Sequence, residues 1–215
     1  MPITNKDKDR VVSFLRKFFF RDEPLNVAIG LLDGANATCP ELEEYCMKCI
    51  PDGLSVMAVS TSGYLLGVCL NGVLTRAAEE KVESEGLQSD CSNMKFKKIL
   101  QLLATINKHS GVFTQFPTVD KILDVVILSV DESYRGQGIC KALIERTREL
   151  AIEHNFPLIK VDCTSHYSAK AVSRLGFQCI YTLPYADHVD SEGERIFKTK
   201  APHSCATTYV LPLSI

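Results

Sequence analysis

The chain contains 215 residues, 46% of them hydrophobic, and carries a formal net charge of −2, so it can bury a substantial core in a single domain spanning residues 1–215. The near-neutral charge provides no basic surface, which argues against a nucleic-acid partner or an anionic membrane surface. No apolar run reaches the roughly 20 residues of a membrane-spanning helix, and the charged start MPITNKDKDR lacks the apolar core of a signal peptide. We therefore expect a cytoplasmic protein without a membrane partner.

Nine cysteines are present, an odd number, and several of them lie in apolar segments. In an intracellular chain this distribution favours reduced core residues over a disulfide framework. The pair Cys46-x-x-Cys49 falls on a predicted helix, and no second pair at zinc spacing follows it. We therefore expect no metal site, since closed zinc sites need four ligands.

Apolar residues at helical spacing predict an amphipathic first helix from about Asp7 to Phe20. It ends ahead of Pro24, because the residue before a proline is pushed out of the α region. Glu23 is therefore expected on an extended corner between helices. Two shorter helices are predicted over Leu25–Leu32 and Pro40–Ile50.

A β-hairpin is predicted next, with strands Ser55–Ser60 and Tyr64–Gly72 joined across Thr61-Ser62-Gly63. The polar and acidic stretch Arg76–Asn93 then predicts an exposed connector, since charge runs are usually solvated. Helical spacing returns over Lys95–His109.

The second half of the chain alternates strands and helices. An apolar strand over Ile122–Val130 leads through a polar turn into a helix that begins near Gly138. The remaining predicted elements are a strand at Leu158–Cys163, a helix at Ser168–Leu175 ended by Gly176, a strand at Phe177–Leu183 and a strand at Cys205–Leu213. This order predicts an α/β fold with one mixed central sheet flanked by helices.

The turn after Val130 is the most informative stretch. A strand, a glycine-containing turn and a helix N-terminus place unpaired backbone N–H groups and a positive dipole end at one point, which suits a phosphate or pyrophosphate. A Walker loop is excluded because its second glycine and hydroxyl neighbour are missing, and Lys141 occupies the third glycine position of a dinucleotide fingerprint. The spacing that fits is Arg-x-x-Gly-x-small, formed by Arg135, Gly138 and Cys140.

That spacing resembles the acyl-CoA loop of the GCN5-related N-acetyltransferases (GNAT), written Gln/Arg-x-x-Gly-x-Gly/Ala, although Cys140 departs from the final position. IKVDCTSHYSAKAVSRLGFQ is similar to the second CoA-facing unit of that family, except that Val172 stands where many members carry a tyrosine proposed to protonate the thiolate. The pieces FFFRDEPLN, LDVVILSVDESYRGQGI and CTSHYSAKAVSRLGF resemble the insect-type arylalkylamine N-acetyltransferases over nearly the full chain, although the usual first strand is short or missing before Asp7.

The resemblance implies a monomeric single-domain GNAT fold that transfers acetyl from acetyl-CoA, its cosubstrate, to the primary amine of a small arylalkylamine such as dopamine, serotonin, tyramine or octopamine. It assigns Glu23 as the general base, with hydroxyl partners at Thr164, where the family has serine, and Ser168. An alkylammonium has a pKa near about 10, and only the neutral amine attacks a thioester. A carboxylate whose pKa is raised in a closing pocket can remove the proton.

Acetyl-CoA is assigned to the strand end, whose backbone would pair with pantetheine and stabilise the tetrahedral oxyanion, and to the loop that would hold the pyrophosphate. These cofactor-binding residues are Leu128, Ser129, Val130, Arg135, Gly136, Gln137, Gly138, Ile139, Cys140 and Lys141.

Several alternatives stay open on the sequence. Glu23 can be a solvated carboxylate past a helix end, Thr164 or Ser165 can be a helix N-cap, and His166 can compete as the base. The acceptor can be a polyamine, histamine, an amino acid or a protein lysine, and the chain can be a non-catalytic acyl-CoA-binding module. Aromatic candidates for stacking on an aryl ring are Phe19, Phe20, Tyr64, Phe113, Tyr167 and Tyr185.

Overall fold

The computed structural model describes residues 1–34, 36–85 and 91–214, with the backbone alone at 82–85. Its helices are α1 (Lys8–Phe18), α2 (Pro24–Ala28), α3 (Pro40–Met47), α4 (Arg76–Glu85), α5 (Met94–Ser110), α6 (Val112–Gln115), α7 (Ile139–Glu153) and α8 (His166–Arg174). Its strands are β1 (Val56–Val59), β2 (Leu65–Thr75), β3 (Lys121–Val130), β4 (Leu158–Cys163), β5 (Gln178–Pro184) and β6 (Cys205–Pro212).

The six strands form one sheet in the order β1-β2-β3-β4-β6-β5. Strands β3 and β4 are parallel, and the other neighbours are antiparallel. This confirms the predicted mixed α/β sheet. Apolar residues of α1, α3 and α5 pack on one face of the sheet, and those of α7 and α8 pack on the other. Both faces are therefore covered by helices, as a central parallel pair requires.

A β-bulge at Val126 opens the centre of this sheet. The register of β2 against β3 passes from Leu70↔Ile127 to Asn71↔Val125, so Val126 has no partner on β2. A bulge bends its strand and redirects the side chains that follow. The parallel register of β3 with β4 ends at the same place, with Val125 opposite Val161, although β3 continues to Val130. The two parallel strands thus separate just after the bulge.

The N-terminal residues extend the edge of the sheet. Ile3 N–H donates to the Ser55 carbonyl at 2.8 Å, and Met57 N–H donates to the Met1 carbonyl at 2.8 Å. Pro2 forms an isolated bridge with Val56. The first strand was expected to be short or missing before Asp7, and these residues form this minimal pairing in place of a named strand.

The stretch Arg76–Asn93 is predicted to be an exposed connector, and its first part, Arg76–Glu85, is helix α4. Ala77, Ala78, Glu80 and Lys81 are exposed, as expected, but Arg76 is not; residues 86–90 lie outside the described residues. Arg76 is half-buried, and its guanidinium donates to the carbonyls of Phe113, Phe116, Pro117 and Val119. These carbonyls lie in and just after α6, where a helix end leaves carbonyl groups without intrahelical partners. Arg76 is therefore a structural residue rather than a solvated charge.

Several helix boundaries also differ from the prediction. Helix α1 ends at Phe18 rather than at Phe20, and α3 ends at Met47 rather than at Ile50. Helix α2 ends at Ala28 rather than at Leu32, and Gly30 just beyond it has φ +59°. Helix α8 begins at His166 rather than at Ser168, because the Ser165 hydroxyl accepts from the Ser168 N–H and caps the first turn. The strand predicted to end at Gly72 continues to Thr75.

Candidate active site

Glu23 occupies the corner between α1 and α2. Its backbone is extended, with φ −65° and ψ 125°, as expected for a residue ahead of proline. Its Oε2 accepts a hydrogen bond from the Asn26 backbone N–H at 2.7 Å, which makes Glu23 the N-cap of α2. Only 9% of Glu23 is exposed. The alternative that it is a solvated carboxylate past a helix end is therefore wrong.

Thr164 connects this corner to the end of β4. Its hydroxyl donates to Glu23 Oε1 at 2.8 Å. The Tyr185 hydroxyl in turn donates to the Thr164 carbonyl at 2.6 Å, and Tyr185 is buried. Both oxygens of the Glu23 carboxyl group are therefore held by fixed donors, and one of them comes from the far half of the chain.

The environment of Glu23 favours its neutral form. Burial raises the pKa of its carboxyl group, while hydrogen bonds from the Asn26 N–H, the Thr164 hydroxyl and the Leu25 N–H oppose that rise. Burial is the largest of these effects. A carboxyl group with a raised pKa is a stronger base in its ionised form, which is the property that proton removal from an ammonium requires.

Ser168 lies beside the same site on the first turn of α8. It lines the cavity described below together with Glu23 and Thr164. Its hydroxyl lies 2.9 Å from the Ser165 carbonyl and 2.9 Å from the Ser165 hydroxyl. The N-cap alternative therefore falls on Ser165. His166 is exposed, and its backbone N–H faces His203 Nδ1 at 3.2 Å, outside the cavity wall.

A cavity of about 800 Å³ runs through the opening between β3 and β4. Its apolar wall includes Phe19, Leu25, Leu42, Tyr45, Phe96, Ile99, Leu103, Val126, Leu128 and Val172. Among the described residues, the cavity wall contains four carboxyl groups, two ammonium groups and one imidazole, from Glu23, Glu79, Asp124, Asp162, Lys108, Lys160 and His109. An excess of carboxylates in an apolar cavity attracts a cationic ligand.

Three aromatic side chains line this cavity: Phe19, Tyr45 and Phe96. Tyr45 and Phe96 contact each other edge-to-face, with ring centroids 5.9 Å apart. Of the six sequence candidates, only Phe19 lies in the cavity wall. The other five candidates do not line the cavity, so their prediction as ring-stacking residues is wrong. Phe20, Phe113 and Tyr185 are buried in the core, and Tyr64 and Tyr167 are exposed.

The loop after β3 has the geometry of an anion cradle. Gly136 and Gly138 adopt φ +78° and +82°, and no atom lies within 4 Å of a Cβ built at either position. Gly138 is the N-cap of α7, a helix of 15 residues whose first N–H groups lack intrahelical partners. The loop residues Gly136, Gln137 and Gly138 are exposed. The open side of these glycines therefore leaves room for the pyrophosphate of CoA at the helix N-terminus.

The flanking residues of the loop are placed as follows. Arg135 Nε donates to the Val130 carbonyl at 3.4 Å, and its guanidinium lies 4.0 Å from Asp22 Oδ2. Ile139 and Cys140 are half-buried at the start of α7, and burial raises the pKa of the Cys140 thiol. Lys141 is exposed and faces Glu145 at 3.6 Å. Both cations of the loop are thus exposed, and each faces a carboxylate.

The end of β3 was predicted to present backbone groups to acetyl-CoA. Leu128 lines the cavity, Ser129 is buried and Val130 is half-buried. The sequence reading missed Gly67 of β2, where a Cβ would lie 2.9 Å from the Ser129 carbonyl and 3.3 Å from the Ile139 side chain. This close approach fixes the end of β3 against the first turn of α7, and glycine permits it.

A buried charge cluster in the cavity wall was also missed. Lys160 is 2% exposed, and its ammonium lies 3.3 Å from Asp124 Oδ1 and 2.5 Å from Asp162 Oδ2. Burial works against the charged form, but the two carboxylates outweigh it and raise the pKa of Lys160. Asp124 and Lys160 are direct register partners on β3 and β4. A lysine inside the apolar strand LIKVDC was the available signal, but its partner depends on the parallel register.

Within residues 1–34, 36–85 and 91–214, no group of three or more His, Cys, Asp or Glu residues is placed to hold a metal ion. In the same part of the chain, no helix combines the length and the apolar character that crossing a bilayer requires. All nine cysteines are free thiols.

Comparisons with known proteins agree with this geometry. The family model described as "Acetyltransferase (GNAT) family" matches residues 110–177, which include β3, the glycine loop, α7, β4 and α8. Arylalkylamine N-acetyltransferase 2 from Aedes aegypti is 36% identical with a TM-score of 0.88, over 100% of this chain and 98% of that chain. These matches cover both the sheet and the loop.

Two further solved structures are similar. The Drosophila melanogaster polyamine N-acetyltransferase, which catalyses formation of N-acetylagmatine, is 27% identical with a TM-score of 0.86, over 98% of this chain and 97% of that chain. Arabidopsis thaliana NAA60 in complex with acetyl-CoA is 16% identical with a TM-score of 0.56, over 99% and 98% of the two chains, and shares the fold alone.

Proposed function

We propose that this chain, which belongs to the GNAT acetyltransferase family together with the insect arylalkylamine N-acetyltransferases, moves acetyl from acetyl-CoA to the primary amine of a small arylalkylamine, with Glu23 as the general base. Dopamine, serotonin, tyramine and octopamine are the acceptors we infer. Acetyl transfer is the activity of the family; the acceptor and the role of Glu23 are the proposal. The 36% identity to the mosquito arylalkylamine enzyme over the whole chain supports this choice of acceptor.

The observation that carries the proposal is the partly buried hydrogen bond from Thr164 to Glu23 in the wall of the cavity. It combines a carboxyl group of raised pKa with an apolar cavity that has room for an aryl ring. The acceptor enters as an ammonium, attracted by the excess of carboxylates. Glu23 takes one proton, directly or through a water molecule, and the neutral amine can then attack.

The covalent step balances without any other reactant. The amine nitrogen forms a bond to the thioester carbonyl carbon, and the C–S bond breaks as CoA leaves as a thiolate. The proton held by Glu23 or the second ammonium proton then protonates that sulfur. Backbone N–H groups at the end of β3, from Leu128 to Val130, are proposed to stabilise the oxyanion, because the strand is free of β4 beyond Val125.

The proposed hydroxyl partners have different roles. Thr164 holds Glu23 Oε1 and so positions the base. Ser168 lies four residues after Thr164, on the first turn of α8, and lines the cavity together with buried Val172. Because valine cannot donate a proton, we infer that Ser168 or a water molecule bound by it relays to the leaving sulfur the proton that the amine has released, and ends the step with its own proton restored. A thiol is acidic enough that this assistance adds less to the rate than the base does.

Acetyl-CoA is proposed to lie along β3 and over the glycine loop. Gly136, Gln137, Gly138, Ile139 and Cys140 would offer backbone N–H groups to the pyrophosphate, and Arg135 and Lys141 would add charge. The left-handed glycines with open space beside them support this placement. The thioester would then reach the gap between β3 and β4, where Glu23 and Leu128 share one cavity.

A second acceptor class is a diamine such as agmatine. The 27% identity to the polyamine enzyme from Drosophila and the excess of carboxylates in the cavity both favour it. A panel of dopamine, serotonin, tyramine, octopamine, agmatine, histamine and lysine, assayed with acetyl-CoA by thiol release, separates the classes. The proposal requires an arylalkylamine to have the highest kcat/KM of the panel. If a diamine has the highest kcat/KM, the proposal is overturned.

We further propose that the enzyme acts in the cytoplasm as a single-domain monomer. The nine free thiols fit a reducing compartment. Glu23, Thr164, Ser168 and the glycine loop all come from one chain, so the site needs no second copy. Light scattering of the purified protein during turnover measures its molecular mass, which tests whether the active form is a monomer.

A further inference from the structure

Asp124 presents an unused hydrogen-bond acceptor to the cavity. Its Oδ1 faces the Lys160 ammonium at 3.3 Å, whereas no hydrogen bond from the described part of the chain reaches Oδ2. Asp162 differs, because Lys160 binds its Oδ2 and the Thr208 hydroxyl donates to its Oδ1 at 2.7 Å. Lys160, Asp124 and Asp162 form one charge cluster. Within it, Asp124 has a side chain that is 27% exposed in the cavity wall and a carboxylate oxygen that accepts no hydrogen bond from the described residues.

The surroundings of Asp124 are those of an aryl pocket. Tyr45 and Phe96 contact each other in the same wall, with Ile99 and Leu103 of α5 beside them. The Tyr45 hydroxyl has no hydrogen-bond partner among the described residues. Asp124 Oδ2 and the Tyr45 hydroxyl therefore line one cavity with hydrogen-bonding capacity unused, and a ligand with a matching polar end can bind there.

The spacing between Asp124 and the base follows from β4. Lys160 and Asp162 alternate along β4, and Thr164 continues this alternation one residue beyond the strand. Lys160 pairs with Asp124, and Thr164 binds Glu23, four residues further on. At about 3.3 Å per residue, the Cα atoms of Lys160 and Thr164 are on the order of 13 Å apart. A ligand that reaches from Glu23 to Asp124 is therefore elongated, with a polar group at each end.

The ligand group at Asp124 can be a cation or a hydroxyl group. Asp124, Lys160 and Asp162 form a cluster of two carboxylates and one ammonium, so charge alone admits either group. The aromatic wall formed by Tyr45 and Phe96 favours a ring over the flexible chain of a diamine. A primary amine joined by two carbons to a ring with a para hydroxyl is an elongated ligand of this kind.

We propose that Asp124 Oδ2 accepts a hydrogen bond from the ring hydroxyl of the acceptor amine, so that Asp124 selects hydroxylated arylalkylamines over unsubstituted ones. This inference rests on the proposed function, since it requires the ammonium end to lie at Glu23. Tyr45 packs against the ring and offers its hydroxyl to the same end of the ligand. Lys160 positions the Asp124 carboxylate through Oδ1.

The test compares tyramine with phenylethylamine, which differ by the ring hydroxyl alone. In wild type, kcat/KM for tyramine should exceed that for phenylethylamine by about tenfold or more, the scale of a hydrogen bond to a charged group. In Asp124→Asn the amide keeps an oxygen for Lys160 but loses the acceptor, so this ratio should fall about tenfold. Phenylethylamine turnover should change less than about threefold.

Asp120→Asn is the matched control. It removes the same charge from a residue just before β3 whose side chain is 86% exposed and outside the cavity, so it should leave the ratio unchanged. Agmatine is assayed in parallel. If Asp124→Asn selectively lowers agmatine turnover and not the tyramine ratio, the group binds a cation and the proposal is overturned.

Calorimetric titration of the two amines in the presence of CoA separates this inference from the proposed function. A tyramine preference in wild type that Asp124→Asn abolishes supports the inference even if neither amine is acetylated, in which case the proposed function alone fails. Equal binding of both amines to wild type overturns the inference whatever the turnover, and this arm remains decisive should Asp124→Asn unfold.

Discussion

The Tyr185 hydroxyl donates to the backbone carbonyl of Thr164 at 2.6 Å, while the Thr164 hydroxyl donates to Glu23 Oε1 at 2.8 Å. Tyr185 follows β5 and Thr164 follows β4, so a chain of two hydrogen bonds links the far side of the sheet to the corner after α1. This chain restricts where the Glu23 carboxyl group can lie. Removing the Tyr185 hydroxyl tests this link.

Tyr185→Phe removes the hydroxyl without changing the packing of the ring. One lost hydrogen bond to a buried carbonyl should lower the free energy of unfolding by about 1 kcal/mol. We expect kcat to fall about tenfold through misplacement of Thr164 and Glu23, with little change in the KM for acetyl-CoA. Tyr209→Phe, on the α7 side of the sheet, is the control; an equal fall in kcat there would show that Tyr185 acts through stability alone.

Glu23→Gln tests the base directly. The amide preserves size and can still accept one hydrogen bond, but it cannot take a proton. We expect kcat to fall about 10²- to 10⁴-fold, while the Kd for acetyl-CoA, measured by calorimetry, stays within twofold. Glu44→Gln, on an exposed face of α3, should be silent. Unaltered turnover in Glu23→Gln would remove Glu23 from the mechanism and favour a non-catalytic acyl-CoA-binding module.

The pH dependence follows from the direction of the Glu23 shift. Because burial raises the pKa of Glu23 above its usual 4.5, kcat/KM should decline on the acid side at a pH above that value. The decline should be absent from the residual activity of Glu23→Gln. A wild-type profile that is flat down to pH 4.5 would contradict the assignment.

The raised pKa of Glu23 also predicts how the stability of the fold depends on pH. A raised pKa means that the folded state binds the proton more tightly, so protonation of Glu23 stabilises the fold at acid pH and this contribution is lost as pH rises through the folded pKa. Glu23→Gln should therefore have a higher Tm than wild type at pH 8, and the difference should shrink toward pH 5. Differential scanning calorimetry at the two pH values measures it.

Gly138→Val tests the pyrophosphate loop. The added side chain would fill the open side of the loop and force a branched residue into a left-handed φ of +82°. We expect the KM for acetyl-CoA to rise about tenfold or more, with a smaller change in the KM for the amine. Gly53→Val carries the same kind of strain, at φ +72° with nothing within 4 Å, but lies away from the site. If both variants raise the KM equally, strain rather than the loop is responsible.

Local patterns predicted most of the fold and part of the site. Apolar periodicity located the helices and strands, because burial on one face requires it, and the proline after Glu23 predicted its extended corner. The glycine spacing after Val130 predicted the anion cradle, because left-handed backbone at Gly136 and Gly138 favours glycine. The charge of the stretch after Arg76 did not predict helix α4 or the burial of Arg76. Charge alone does not reveal that the Arg76 guanidinium donates to four backbone carbonyls elsewhere in the chain.

The sequence by itself determined the elements, the loop and the candidate base, since each depends on residues within a few positions of one another. Tertiary structure decided the bulge at Val126, the opening between β3 and β4, and the pairing of Lys160 with Asp124, because these depend on register between distant strands. It also decided that Thr164 meets Glu23 across 141 positions. Burial gives Glu23 its raised pKa, and burial is a property of the packed molecule rather than of any segment.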